Sequence, residues 1–93
     1  MASENRKSGV KSKFEYEEDG ATAYLEVETD SDGWITFWHT EVPQALRGRG
    51  VAGMLVRTAF EYARDNKLKV DVICPIAVDF LSKNPEFKSL VGR

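Results

Sequence analysis

The sequence predicts a mixed α/β fold, in which an antiparallel three-strand meander is followed by a β-α-β crossover and a short C-terminal helix. Two changes of hydrophobic periodicity support this prediction. Residues 14–42 show the two-residue period and the turn signals of strands, whereas residues 51–66 show the 3.6-residue period of a helix. Residues 68–74 then return to a strand pattern. A strand, a helix and a strand in this order form a parallel crossover unit.

Three strands and two turns make up the predicted meander. Residues 14–18 and 21–29 are strands joined by Asp19-Gly20, which is a signal for a two-residue hairpin turn. Residues 34–42 are rich in aromatic and β-branched residues on both faces of the predicted strand, so we expect this strand at the centre of the sheet. Two tryptophans that share one face of the predicted central strand are expected in the core: Trp34 and Trp38.

The two predicted helices have identifiable boundaries. Residues 51–66 carry one apolar stripe, which we expect to face the sheet: Ala52, Leu55, Val56, Ala59, Phe60 and Ala63. Pro75 favours a helix start at the first helical position, and Asn84-Pro85 ends that helix after Lys83. The second helix therefore follows the last strand directly.

Length and composition limit the class of protein. The chain has 93 residues and a formal net charge of -2, which argues against a broadly basic nucleic-acid-binding protein. Residues 1–13 are polar and are expected to form a disordered tail before one domain at 14–93. A single cysteine cannot form an intrachain disulfide, which suggests a cytoplasmic compartment. The longest uncharged apolar stretch, residues 72–78, is too short to cross a bilayer.

The sharpest local motif is Arg47-Gly48-Arg49-Gly50, placed where the central strand gives way to the long helix. Its glycines allow positive φ and close backbone approach, and the helix amides that follow have no side-chain N-cap. Such a loop can hold a phosphate group. A plain surface turn with two solvated arginines is the alternative. No Gly-Lys-Ser/Thr follows, which excludes a Walker-type loop.

A family resemblance rests on this loop and its neighbours. Residues 47–52 (Arg-Gly-Arg-Gly-Val-Ala) match the Q/R-x-x-G-x-G/A motif of the GNAT superfamily of acyl-CoA-dependent N-acetyltransferases. His39-Thr40-Glu41-Val42-Pro43 before the motif and Cys74-Pro75 after it resemble the small, single-domain branch of that superfamily. The resemblance covers residues 14–85, which is nearly all of the predicted domain.

The resemblance implies a GNAT-like fold and acetyl-CoA as the acyl donor. Coenzyme A would then enter a V-shaped gap between the strand ending near Val42 and the strand ending near Cys74. Its pyrophosphate would bind the backbone of the glycine loop. The implied cofactor-binding residues are Val42, Arg47, Gly48, Arg49, Gly50, Val51, Ala52, Cys74 and Pro75.

Three side chains are candidates for the chemistry. Cys74 precedes a helix start, where oriented amides favour a nucleophilic thiolate, so it would carry the acetyl group or line the acyl pocket. A small buried hydrophobe is the alternative. His39, on the predicted face of Ile35 and Phe37, is a candidate general base, and Glu41 on the same face is its rival. Each is equally compatible with an ordinary structural role.

These observations predict an acetyl-CoA-binding N-acetyltransferase that acts on an amine acceptor, such as a lysine side chain or a polyamine. A non-catalytic acyl-CoA-binding or regulatory module is the alternative. It is favoured because residues 75–83 contain Phe80 but no tyrosine, which many family members use as a general acid on this helix. The chain also lacks the helices and final strand pair that commonly build the acceptor site. A nucleic-acid-binding domain using the basic C-terminal half is a third interpretation, and no metal site is expected.

Overall fold

A computed structural model describes residues 9–92 and contains, within them, four strands and two α-helices. In chain order these are β1 (Val10–Glu18), β2 (Ala21–Thr29), β3 (Trp34–Glu41), α1 (Val51–Asp65), β4 (Lys69–Val72) and α2 (Pro75–Lys83). Short 3-10 helices at Gln44–Leu46 and Pro85–Leu90 complete the described part.

The four strands form one sheet in the order β1-β2-β3-β4. The first three pair antiparallel, and β3 pairs with β4 in parallel through the crossover helix α1. The predicted fold class is therefore confirmed: a mixed sheet with a three-strand meander, a crossover and a short helix. The strand at the centre, β3, has an antiparallel neighbour on one side and a parallel neighbour on the other.

Strand β1 begins earlier than the sequence predicts. It starts at Val10, which pairs with Thr29 at the far end of β2, so residues 10–13 belong to the sheet and not to the predicted tail. The reason is the length of β2, whose nine residues offer partners along their whole length. Lys11 and Lys13 stand opposite Glu28 and Glu26, and opposite charges in such cross-strand pairs are favourable. Residues 1–8 of the predicted tail lie outside the described part of the chain.

Helix α1 packs its apolar stripe against the inner face of the sheet. The buried side chains of the helix are Val51, Leu55, Val56, Ala59, Phe60 and Ala63. Ala52, predicted in this stripe, is only partly buried, and Val51 takes its place in the core.

The core has an aromatic centre at Phe60. Its ring meets Phe37 of β3 edge to face, with 4.9 Å between centroids, and stacks on Phe80 of α2 and Phe87 of the last 3-10 helix. Aromatic pairs of this kind add to the stabilisation from buried area. One ring thus joins the sheet to every later element of the chain.

A β-bulge interrupts β3. Val27 of β2 pairs with Phe37 and the next residue, Glu26, pairs with His39, so Trp38 is an extra residue in β3. Before the bulge the odd-numbered residues of β3 point inward, and after it the even-numbered Thr40 does. His39 therefore leaves the face of Phe37 and is exposed, contrary to the prediction. Trp38 is also exposed, whereas a core position was predicted, and its indole N–H donates to Glu28 Oε1 at 3.0 Å.

Strands β3 and β4 separate towards their carboxyl ends. Their pairing ends at Phe37 and Val72, after which the amides of Ile73 and Cys74 both donate to the Phe37 carbonyl. The chain then turns into α2, so β4 is shorter than the predicted strand at residues 68–74. Pro75 begins α2 as predicted. The separation produces the gap that the family resemblance implies.

The described part of the chain offers no membrane-crossing helix and no metal site. Within residues 9–92, no helix is both long enough and apolar enough to span a membrane. In the same range, no group of three or more His, Cys, Asp or Glu side chains could hold a metal ion.

Phe60→Ala should destabilise the protein by about 3–5 kcal/mol, because it empties the aromatic centre of a close-packed core. Urea unfolding measures the change. Val78→Ala is the matched control, since Val78 lies on α2 with 53% of its surface exposed, and we expect a change within about 0.5 kcal/mol. Equal losses in the two variants would contradict this account of the core.

Candidate functional site

A cleft of about 370 Å³ opens where β3 ends and α1 and α2 begin. One wall is the end of β3, a second is the glycine loop with the first turn of α1, and Ile76 of α2 closes the third side. The lining residues are Thr40, Glu41, Val42, Leu46, Arg47, Gly48, Gly50, Val51, Ala52, Gly53 and Ile76. This is the carboxyl end of the β3 strand, where α/β sheets usually bind ligands.

The glycine loop adopts the left-handed backbone that its sequence indicates. Gly48 and Gly50 have φ of 81° and 76°, and Gly50 is the N-cap residue of α1. No side chain caps the helix, so the amides of Val51, Ala52 and Gly53 begin α1 without an intrahelical acceptor or a side-chain cap. A Cβ at Gly50 would meet no protein atom within 4 Å. Donors and open space together fit a pyrophosphate group.

The two arginines of the loop have different surroundings. Arg47 lines the cleft, and its Nε donates to the Val42 carbonyl at 3.0 Å. Arg49 does not line the cleft, and its guanidinium lies 3.0 Å from Glu18 Oε2 at the end of β1. Of the two arginines, only Arg47 therefore lies at the cleft wall.

Glu18 ties the loop to the first hairpin. One carboxylate oxygen accepts from Arg49 and the other accepts from the Tyr16 hydroxyl at 2.8 Å. The hydrogen bond to Glu18 and the negative charge of the same carboxylate raise the pKa of Tyr16 above its ordinary value. The Arg49–Glu18 pair is half exposed, and such pairs contribute about 0.2–1 kcal/mol. The pair thus holds the guanidinium only weakly.

His39 and Glu41 lie together on the outer side of β3. His39 Nε2 and Glu41 Oε1 are 3.2 Å apart, and about half of each side chain is exposed. Glu41 lines the cleft, whereas His39 lines a second depression on the outer sheet face with Trp38 and Glu28. The two candidate bases are therefore one hydrogen-bonded pair, with Glu41 on the cleft side.

Cys74 is buried, with 1% of its surface exposed. It is the N-cap residue of α2, but its side chain makes no capping hydrogen bond. Its Sγ lies 3.1 Å from Oγ1 of Thr40, and Thr40, not Cys74, lines the cleft. Pro75 is also absent from the cleft lining. This burial agrees with the hydrophobic alternative for the cysteine and separates the thiol from the cleft.

Thr40 is the site residue that the sequence analysis did not find. Plain alternation from Ile35 and Phe37 places Thr40 on the outer face, and only the bulge at Trp38 turns it inward. Three further lining residues were also missed: Leu46, Gly53 and Ile76. Ile76, the second residue of α2, could have been found from the predicted gap, because that gap lies beside the start of the helix.

The fold and the cleft together are typical of proteins that bind a phosphate-bearing ligand. A left-handed glycine loop begins a crossover helix, and it faces the separating ends of two parallel strands, which is how a sheet of this kind binds a phosphate-bearing ligand. Residues 13–90 match the sequence model of the GCN5-related N-acetyl-transferase family. The chain belongs to this family, and the resemblance found in its motifs is confirmed.

Curated relatives match a shorter segment. The chain is 40% identical over 51 residues to Protein NATD1 of Bos taurus, covering 55% of this chain and 45% of that protein. It is 38% identical over 51 residues to Protein NATD1 of Homo sapiens, with coverage of 55% and 45%. The matched segment spans about half the length of these relatives. Family membership associates the chain with acyl-CoA-dependent acetyl transfer in general.

Native Cys74 should react slowly with iodoacetamide, because a buried thiol is reached only when the structure opens. Intact-mass measurement after alkylation gives the rate, which should rise with urea in step with unfolding. The double variant Cys74→Ala/Ser89→Cys is the control, since Ser89 is exposed and its replacement should react at once. Equal native rates for the two thiols would contradict the burial of Cys74.

Proposed function

We propose that this protein is an N-acetyltransferase that binds acetyl-CoA in the cleft and transfers the acetyl group to an amine. One observation carries the proposal: the uncapped first turn of α1 and Glu41 line the same cleft. The first feature suits a phosphate-bearing donor, and the second suits removal of a proton from an amine. Membership of the family supports both assignments.

The donor would lie along the glycine loop and the end of β3. Amides of residues 51–53 and the Arg47 guanidinium would hold its pyrophosphate, while Arg49 could leave Glu18 to join them. Val42 and Ile76 offer the apolar contacts that a pantetheine arm needs, at the gap between β3 and α2. Pro75 would contribute by starting α2 at this point and not by direct contact.

Bound acetyl-CoA would supply an acetyl thioester, which an amine can attack without a covalent enzyme intermediate. In this proposal a protonated acceptor first loses one proton to solvent, and the neutral amine then attacks the thioester. Glu41 takes the second proton as the C–N bond forms and the C–S bond breaks. His39, 3.2 Å from Glu41, shares that proton and keeps the carboxylate oriented. The electron pair of the broken C–S bond leaves with the sulfur of coenzyme A. The proton held by Glu41 and His39 is then released to solvent. Cys74, behind Thr40, takes no part as a nucleophile.

The outer face of the sheet suits a cationic acceptor. On this face Glu26 pairs with His39, and Tyr24 pairs with Glu41. Lys11 and Lys13 stand opposite Glu28 and Glu26 and partly neutralise them, but Glu15, Glu17 and Glu41 leave the face with an excess of negative charge. A negative surface beside the reacting group raises the local concentration of protonated amines. A lysine-rich peptide is therefore a suitable first probe.

Gly50→Ala should abolish coenzyme A binding, because a Cβ enters the space that the pyrophosphate needs. Calorimetric titration with coenzyme A measures the affinity. Gly20→Ala is the matched control: Gly20 has nearly the same φ, 81°, and open space around it, but lies in the β1–β2 hairpin. Both variants should lose about 1–3 kcal/mol of stability from backbone strain. Unchanged affinity in folded Gly50→Ala would show that the loop does not bind phosphate.

Acetyl-CoA at about 100 times its dissociation constant should add about 2.7 kcal/mol of stability, which raises the Tm of a domain this small by about 10–20 °C. Release of free coenzyme A in the presence of a lysine-rich peptide, spermidine or an arylamine then measures transfer. Glu41→Gln should lower kcat by about 10²-fold or more, with the affinity for acetyl-CoA unchanged. Glu17→Gln, on the outer face of β1, is the control.

The outcomes separate the candidate functions. Stabilisation with transfer supports the proposal. Stabilisation without transfer to any of the three amine classes favours the non-catalytic acyl-CoA-binding module. No stabilisation by acetyl-CoA contradicts both.

A further inference from the structure

Thr40 is the one polar side chain that is buried among residues 9–92, with 7% of its surface exposed. It lies between the cleft, which it lines, and the thiol of Cys74. A buried hydroxyl costs free energy unless its hydrogen bonds are made. The stability of Thr40 in this position therefore depends on the hydrogen bonds of its hydroxyl group.

The bulge at Trp38 is what places Thr40 there. Without the extra residue, the inward position beside Leu25 would not fall to Thr40, and the hydroxyl would face solvent on the outer side of the sheet. Bulges cost ladder hydrogen bonds and occur often beside active sites, where they re-aim a side chain. Here the bulge turns Thr40 inward, where it lines the cleft and its Oγ1 lies 3.1 Å from the buried Sγ of Cys74.

Either atom of the Thr40–Cys74 hydrogen bond could be the donor. A hydroxyl has one good donor and two lone pairs, whereas a thiol is a weak donor and its sulfur a weak acceptor. If the thiol donates to Oγ1, at 3.1 Å, the hydroxyl proton is free to reach a stronger acceptor. Thr40 also lines the cleft, so a ligand bound there is within reach of the residue.

We propose that Thr40 donates a hydrogen bond to the acyl thioester at the inner end of the cleft, and that Cys74 is a positioning residue that sets the direction of this donor. The proposal rests on the proposed acetyltransferase function and adds a donor to it. No proton changes hands at Thr40. The residue stabilises negative charge that develops as the C–S bond breaks, a task for which α2 supplies no tyrosine.

The infrared S–H stretch tests the direction of the hydrogen bond without any ligand. The chain has one cysteine, so there is one S–H band, and an S–H group that donates absorbs at lower wavenumber than a free one. Thr40→Val keeps the shape but removes the acceptor, so the band should move to higher wavenumber. Thr36→Val, on the outer face of the same strand, is the matched control and should leave the band unchanged. An unmoved band in Thr40→Val would overturn the proposed direction.

Kinetics test the role of the donor. Thr40→Val should lower kcat by about 10²–10³-fold while the dissociation constant of coenzyme A, measured by calorimetry, is unchanged. Thr40→Ser should restore most of the activity, and Cys74→Ser should retain more than Cys74→Ala, because a hydroxyl can donate to Thr40 in place of the thiol. Full activity in Thr40→Val would sink the proposal.

Two results separate this proposal from its rivals. A hydroxylamine-labile acetyl group on the wild-type protein that is missing in Cys74→Ala would show a covalent route and overturn the positioning role of Cys74. If acetyl-CoA fails to stabilise the wild-type protein, the acetyltransferase function itself is wrong and the donor role falls with it. The S–H band still decides the Thr40–Cys74 hydrogen bond in that case.

Discussion

The extra residue in β3 is the constraint on which the arrangement of the site depends. Up to Phe37 the strand serves the core, and its side chains pack under α1. After Trp38 the same strand serves the cleft, because the exchange of parities turns Thr40 inward and leaves Glu41 at the cleft rim. A side-chain period of two makes this effect all-or-none, since a shift by one residue moves every later side chain to the other face.

The crossover places a phosphate-binding loop beside that strand end. Parallel pairing of β3 with β4 requires the chain to return across the sheet, and α1 makes this return, so its N-terminus lies near the end of β3. The pairing then stops at Val72 and the chain turns into α2, which opens a gap beside the first amides of α1. Cleft and loop are thus consequences of topology, and the side chains decide what chemistry the cleft can support.

Much of this arrangement could be predicted from the sequence. Alternation in residues 21–29, the helical stripe of α1 and Pro75 at the start of α2 identified the elements, because each pattern reflects one local geometry. The glycine loop was found for the same reason: positive φ needs glycine at Gly48 and Gly50. The start of β1 was missed because Val10 pairs through its backbone with a distant partner, and polar side chains in residues 11–13 gave no apolar period. The bulge was missed because it depends on the register with β2, which no local pattern in β3 records.

Burial also separates Cys74 from the cleft that it was expected to line. A cysteine before a helix start predicts a reactive thiol, but Cys74 is buried and does not line the cleft, whereas Thr40 does. The aromatic ring on α2 is no substitute, because Phe80 is stacked on Phe60 with centroids 5.8 Å apart and belongs to the core. A hydroxyl added to the Phe80 ring would lie among packed apolar side chains, where a polar group without a hydrogen-bond partner costs free energy. The buried polar residue that lines the cleft comes from β3, and the bulge turns it inward.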